Sequence, residues 1–293
     1  MRKYVGELGL ILTAIIWGSG FAATAIALEY YSPYQTMFVR FLVGALILCI
    51  IFPKQILEIN KTILINGLIL GVILYLAFAL QTVGLQFTTP SKNAFLTAVN
   101  VVIVPLISFV IYKKQLDRFE VTGSILAMIG VGIISFQWTT TINLGDFLSL
   151  LCAFAFAFHI FYTAKFVAHG HAILLTIIQM GTAAAIGFLV IFVQGEVAMP
   201  IEARSLYSML YLGIFSTAIA FLLQTASQKF VTETKTGIIL STEAVWGMIF
   251  SIMIIGEIVT VRMAIGAAVI LLAILLSETK INPLKIRMIR PKT

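Results

Sequence analysis

The segment "LQTVGLQFTTPSK", Leu80 to Lys92, returns 143 residues later as "LQTASQKFVTETK", Leu223 to Lys235. Leu80, Gln81, Thr82, Phe87, Thr89 and Lys92 recur unchanged, and the same gapless offset carries Asn100 onto Glu243, Ser108 onto Ser251 and Gly123 onto Gly266. A second, weaker correspondence at an offset of 139 sets Glu7 on Asp146, Trp17 on Phe156 and Arg40 on Gln179. The chain therefore reads as two related halves, and the surroundings of the repeated segment decide what each half is.

Those surroundings are apolar. Of the 293 residues, 60% are hydrophobic and 11% charged, against about 25% charged in an ordinary soluble domain. A bilayer core of about 30 Å takes about 20 helical residues to cross. On that measure spans fall at 5–28, 33–52, 62–86, 92–112, 119–137, 144–165, 172–194, 204–228, 235–256 and 261–278, the last two parted only by the short polar gap "GEIVTVR". No stretch remains for a sizeable water-soluble domain. The first run follows Arg2 and Lys3 as a signal peptide would, but its length of about 24 residues and its lack of a small-x-small cleavage site mark a mature helix. Cys49 and Cys152 both fall inside spans, where packing rather than a disulfide is expected.

Ten crossings divide the connections into two sets. The set that holds both termini carries 15 of the 19 Lys and Arg residues, and the other set carries 3. Basic residues favour the cytoplasmic side, so both termini are expected there, in a multi-pass protein of the cell membrane. The same bias explains the net charge of +7 through orientation and anionic lipid, without a nucleic-acid partner. Five helices per half is an odd number, so the second half must enter the membrane upside down relative to the first. The expected fold is thus all-α, with ten transmembrane helices as two inverted five-helix repeats around a central cavity that can face either side.

Ionisable groups at membrane depth are costly and usually face a cavity or a partner. Arg40, His159 and Glu243 lie within about one helical turn of the centres of their spans. Arg40 and Glu243 either pair with one another or serve a ligand: Arg40 as a planar fork for a carboxylate, Glu243 as the partner of an ammonium group or as a proton carrier. His159 is a second candidate proton carrier, though its setting "AFAFAFHIFY" equally suits packing. Gln81, Gln224 and Asn100 are further polar candidates at matching depths, with interhelical hydrogen bonding as the plainer reading. Trp17, Tyr75 and Trp246 sit near span centres rather than in interfacial belts, so they could wall a cavity. Pro105 is expected to kink the fourth helix. His169 and His171 in "AHGHAI" make a poor metal site, and neither a metal nor another cofactor is expected. Motifs of hydrolases, metalloproteases and phosphate loops do not occur.

The motifs "IIWGSGFAATAIAL", "PYQTMFVRFLVGALIL", "PLISFVIYKKQLDRFEVTGSILAMIGVGII" and "TEAVWGMIFSIMIIGEIVTVRMAIGAAVIL" resemble those of the drug/metabolite transporter superfamily, and within it the EamA-type ten-helix carriers. The resemblance covers nearly the whole chain and implies EamA-like repeats over 1–138 and 143–280, followed by a basic tail over 281–293. The family often has an acidic residue before the last loop of each half; Glu257 supplies it in the second half, and Lys114 stands in the first. Membership implies movement of small metabolites, often outward. The expected partners are a small-molecule substrate and membrane lipid, with a homodimer left open. The expected function is a secondary exporter of amino acids or related zwitterions, proton-coupled, with a carrier of cationic or aromatic compounds as the alternative. An intramembrane enzyme or lipid-handling protein is the alternative of another class.

Overall fold

The computed structural model describes residues 2–113, 118–135, 143–168, 170–199 and 201–279. These form α1 (Arg2–Ala27), α2 (Pro33–Ile51), α3 (Lys61–Leu85), α4 in two pieces (Pro90–Ala98 and Asn100–Tyr112), α5 (Arg118–Ser135), α6 (Leu144–Val167) and α7 (Ala172–Val193). Then come α8 (Ala203–Ser227), α9 in two pieces (Glu233–Ser241 and Glu243–Ile255) and α10 (Val261–Thr279). Eight of the ten are long and apolar enough to cross a membrane, and α5 and α10 carry shorter apolar stretches, Val121–Gly130 and Val261–Ala273. Lys114 and the tail 281–293 lie outside the described residues. In hydrocarbon every backbone group must find its partner within the chain, which is why these apolar runs are helices.

Local signals fix where the helices begin. Ser32 opens α2 with a reciprocal capping box to Gln35, and Pro33 follows at the first helical position. The recurring Thr is an N-cap in both halves: Thr89 Oγ1 accepts from the Lys92 amide and Thr232 Oγ1 from the Lys235 amide, each at 3.4 Å. α1 is part of the bundle, with Leu10, Ala14 and Ala22 fully buried.

Exchanging helices 1–5 for helices 6–10 maps the packing onto itself. α3 lies on α6 and α7 as α8 lies on α1 and α2, α4 meets α6 as α9 meets α1, and α2–α7, α4–α9 and α5–α10 are their own counterparts. This two-fold relation, with five crossings in each half, is the inverted repeat.

Two details depart from the sequence reading. α4 and α9 run through as single spans, as expected, but each breaks the regular α ladder for one residue, at Val99 and Thr242, where the backbone stays right-handed and bonds to the third residue before it. Pro105 lies six residues beyond the first break, inside Asn100–Tyr112, and the equivalent break in α9 has Met248 at the matching place, so proline does not cause it. In α9 the hydroxyls of Ser241 and Thr242 donate to the carbonyls of Ile238 (2.6 Å) and Ile239 (2.7 Å), competing with the helical ladder at that point. The second departure is in α8, whose middle turns, Leu212–Ile219, are a π-helix. Its counterpart α3 is regular.

Candidate functional site

A cavity runs between the halves, enclosing about 600 Å³ of free space including the part open to solvent. Helices α1, α2, α3, α4, α6, α8 and α9 all contribute to it. Of the nine residues singled out from sequence, Trp17, Arg40, Gln81, Asn100, Gln224 and Glu243 line this one space. The breaks in α4 and α9 explain two of them. Asn100 and Glu243 directly follow Val99 and Thr242, so each polar group stands at a local irregularity of its helix, in the bundle centre.

Arg40 is 3% exposed and fixed from the π segment of α8. Its Nε donates to Thr217 Oγ1 and its Nη2 to Ser216 Oγ, both at 3.1 Å. The guanidinium carbon lies 4.2 Å from the centroid of Phe78, a cation–π contact that shields one face. Among the described residues Arg40 forms no ion pair. Glu243, 5% exposed, forms neither a hydrogen bond nor an ion pair among them. Two opposite charges therefore share a cavity without bonding to each other, which removes their mutual salt bridge as the reason for either.

The remaining polar groups divide in the same way. Trp17 Nε1 donates to the Ser216 carbonyl (2.9 Å), so the π segment steadies the indole as well as the guanidinium. Gln81 Nε2 donates to Thr97 Oγ1 (3.3 Å). Gln224 is fully buried with both amide atoms unbonded, and Asn100 Oδ1 is likewise unbonded. Buried amides ordinarily find partners, and these atoms have none among the described residues.

Three candidates are placed elsewhere. His159 is fully buried off the cavity, its Nε2 2.8 Å from Gln179 Oε1 and its ring edge-on to Phe221. Tyr75 packs in the core with Phe41, Leu74 and Phe78. Trp246 packs beside Phe250 and against Gly18. The cavity instead draws its apolar wall from Phe21, Phe78 and Phe156, and further hydroxyls from Thr24, Thr82 and Ser216. Phe156 was within reach of the sequence through its match to Trp17. Ser216 and Thr217 were not, because nothing in "LGIFSTAI" announces a π-helix.

The profile of the EamA-like transporter family matches residues 4–136 and again residues 143–279. The chain belongs to the EamA-like transporter family. An uncharacterized transporter of Archaeoglobus fulgidus is 29% identical over 287 residues, covering 96% of this chain and 88% of that one. The uncharacterized transporter YdfC of Bacillus subtilis is 26% identical, covering 96% and 94%. A solved crystal structure superposes with a TM-score of 0.70 at 15% identity over 92% of this chain and 95% of that one, a likeness of fold. The family and the apolar helices together make this EamA-like protein a multi-pass membrane transporter.

Proposed function

We propose that the protein is a secondary carrier that exports amino acids or related zwitterions by alternating access, with Glu243 exchanging the coupling proton. The observation behind this reading is that Arg40 and Glu243 line one cavity and are not bonded to each other. A zwitterion brings a carboxylate that suits the planar fork of Arg40 and an ammonium group that suits Glu243. The free amides of Gln224 and Asn100 can take up its remaining polar atoms, and Trp17, Phe21, Phe78 and Phe156 its side chain. Purified protein in liposomes should move labelled amino acids under an imposed pH gradient, and Glu243→Gln should leave that flux indifferent to the gradient. If no member of a broad amino-acid and amine panel moved under either gradient direction, the substrate assignment would fail.

The aromatic wall favours one second reading, a carrier of cationic or aromatic compounds that Glu243 and the ring faces would hold. Arg40→Gln separates the two. It should weaken a zwitterion's transport, whereas a cation carrier would keep or gain activity once the buried positive charge is gone.

A further inference from the structure

Among the described residues three ion pairs join the halves; Glu29–Arg204 is exposed (44% and 60%), and the other two are copies of one another. Lys92 Nζ lies 3.5 Å from Asp146 Oδ2, and Lys235 pairs with Glu7. Lys92 and Lys235 are equivalent at the offset of 143, and Glu7 and Asp146 at the offset of 139, so both sequence correspondences meet in these contacts. Each pair crosses from one half to the other, and each lysine stands at the start of a broken helix behind its Thr cap.

The pairs also lie at opposite membrane faces, whichever way the protein is oriented. Helices alternate in direction, so the starts of α1 and α9, which hold Glu7 and Lys235, share one face. The starts of α4 and α6, which hold Lys92 and Asp146, share the other. On the orientation expected from the basic loops, Glu7–Lys235 is inside and Lys92–Asp146 outside.

The two pairs are not in the same state. Side-chain exposures are 14% and 2% for Lys92 and Asp146, against 40% and 20% for Lys235 and Glu7. The outer pair is reinforced by Thr88 Oγ1, which donates to Asp146 Oδ1 at 2.6 Å; the equivalent of Thr88 is Val231, which has no hydroxyl to give. Beside the inner pair a second pocket, lined by Lys165, Gln228, Lys229 and Glu233, opens between the end of α6 and the α8–α9 connection. It shares no lining residue with the central cavity.

We propose that Lys92–Asp146 and Glu7–Lys235 are the two latches of the carrier, one for each membrane face. Each holds its face shut while it is formed, both are formed in this structure, and releasing one lets its face open; the outer latch is the stronger because of Thr88. The inference rests on the transporter reading, but its test uses no substrate, so its failure would leave the substrate assignment standing.

The test measures access to repeat-equivalent reporters in the full chain, in membranes, with Cys49 and Cys152 replaced by Ala. Leu85→Cys reports on the face of Lys92, and Gln228→Cys on the face of Lys235; the probe is a membrane-impermeant maleimide applied from each side. Lys92→Met or Asp146→Asn should speed labelling of Leu85→Cys about five- to tenfold and slow that of Gln228→Cys, because a two-state equilibrium moves both populations at once. Glu7→Gln or Lys235→Met should do the reverse, by a smaller factor. The swap Lys92→Asp with Asp146→Lys should return both reporters to parental rates, and it serves equally where a single neutralisation fails to fold. Unchanged reporters, or both rising together in a folded variant or in the swap, would overturn the proposal.

Discussion

The two halves meet the cavity at matching positions with different chemistry. Gln81 faces it from one half and Gln224 from the other, and Trp17 is answered by Phe156. Where the first half places neutral Asn100 after the break in α4, the second places Glu243 after the break in α9. Where the first half sends Arg40 into the cavity, the second has Gln179, which is turned into a buried hydrogen bond with His159. The shared frame comes from duplication, since equivalent caps, breaks and ion pairs recur. The charges are where the two copies differ, one of each sign. A cavity lined from matching positions by unlike charges is suited to the ligand with two unlike ends that the proposed function calls for.

Making the halves alike should therefore remove the function, and most strongly at the carboxylate. Glu243→Asn matches the second half to Asn100 and deletes the negative charge. For the best amino acid of the liposome panel, binding should weaken about 10- to 100-fold, the range expected for losing a charged hydrogen bond. Titration calorimetry on detergent-purified protein would measure it, and unchanged affinity would place the ammonium site elsewhere. Arg40→Gln makes the complementary change toward Gln179. Its amide takes the place of the Nε that bonds Thr217, so the fold should hold while affinity falls about tenfold for the free amino acid. The amino-acid amide, which has no carboxylate, should bind as before. Equal losses for both compounds would mean that Arg40 only shapes the cavity.

The frame can be tested through close backbone contacts. A Cβ on Gly145 would come within 2.6 Å of the Gly84 carbonyl and 2.8 Å of the Thr88 amide, where α6 crosses α3. At the corresponding crossing of α1 on α8, a Cβ on Gly6 would meet Val231 Cγ2 at 3.0 Å and the Ser227 carbonyl at 3.3 Å. Gly145→Ala should thus cost about 1–3 kcal/mol as overpacking against rigid backbone, and Gly6→Ala clearly less. Thermal unfolding in detergent would rank them, and equal costs would say that the two crossings are equally tight.

Most of the frame was legible in the sequence because it is written in features that a bilayer enforces. Span lengths, the positions of Lys and Arg, and the recurrence of Leu80–Lys92 place ten helices and their inversion before any coordinate is considered. Six of nine candidate residues share the cavity for a similar reason: Arg40, Glu243 and the amides are too polar to face lipid. What stayed hidden depends on rotation about the helix axis. His159, Tyr75 and Trp246 lie at suitable depths, but their helices turn them into packing, and a nearly all-round apolar helix carries little periodic signal to say which way a residue faces. The breaks at Val99 and Thr242 were hidden too, because the residue that advertises a kink, Pro105, is not where the helix breaks.

The smallest effect concerns how the two halves end their fourth helices, and it also discriminates between them. The second segment of α9 closes on Gly256 at φ +68°, a left-handed cap that glycine adopts without penalty. The equivalent residue in α4 is Lys113, which takes the same left-handed conformation at φ +53° and is the sole non-glycine residue with positive φ among those described. A side chain there crowds its own backbone by about 1–2 kcal/mol, so the first half holds at Lys113 a strain that the second has resolved. Lys113→Gly relieves it but frees the unfolded chain, which offsets part of the gain. The net expectation is stabilisation by about 0.5–1 kcal/mol, while Gly256→Ala should destabilise by about 1 kcal/mol. Chemical denaturation of the purified protein would read both signs. Stabilisation at Lys113 with loss at Gly256 means that the two caps share one geometry and differ only in how well the residue fits it; loss at both would mean that the Lys113 side chain contributes at that helix end more than its backbone strain costs.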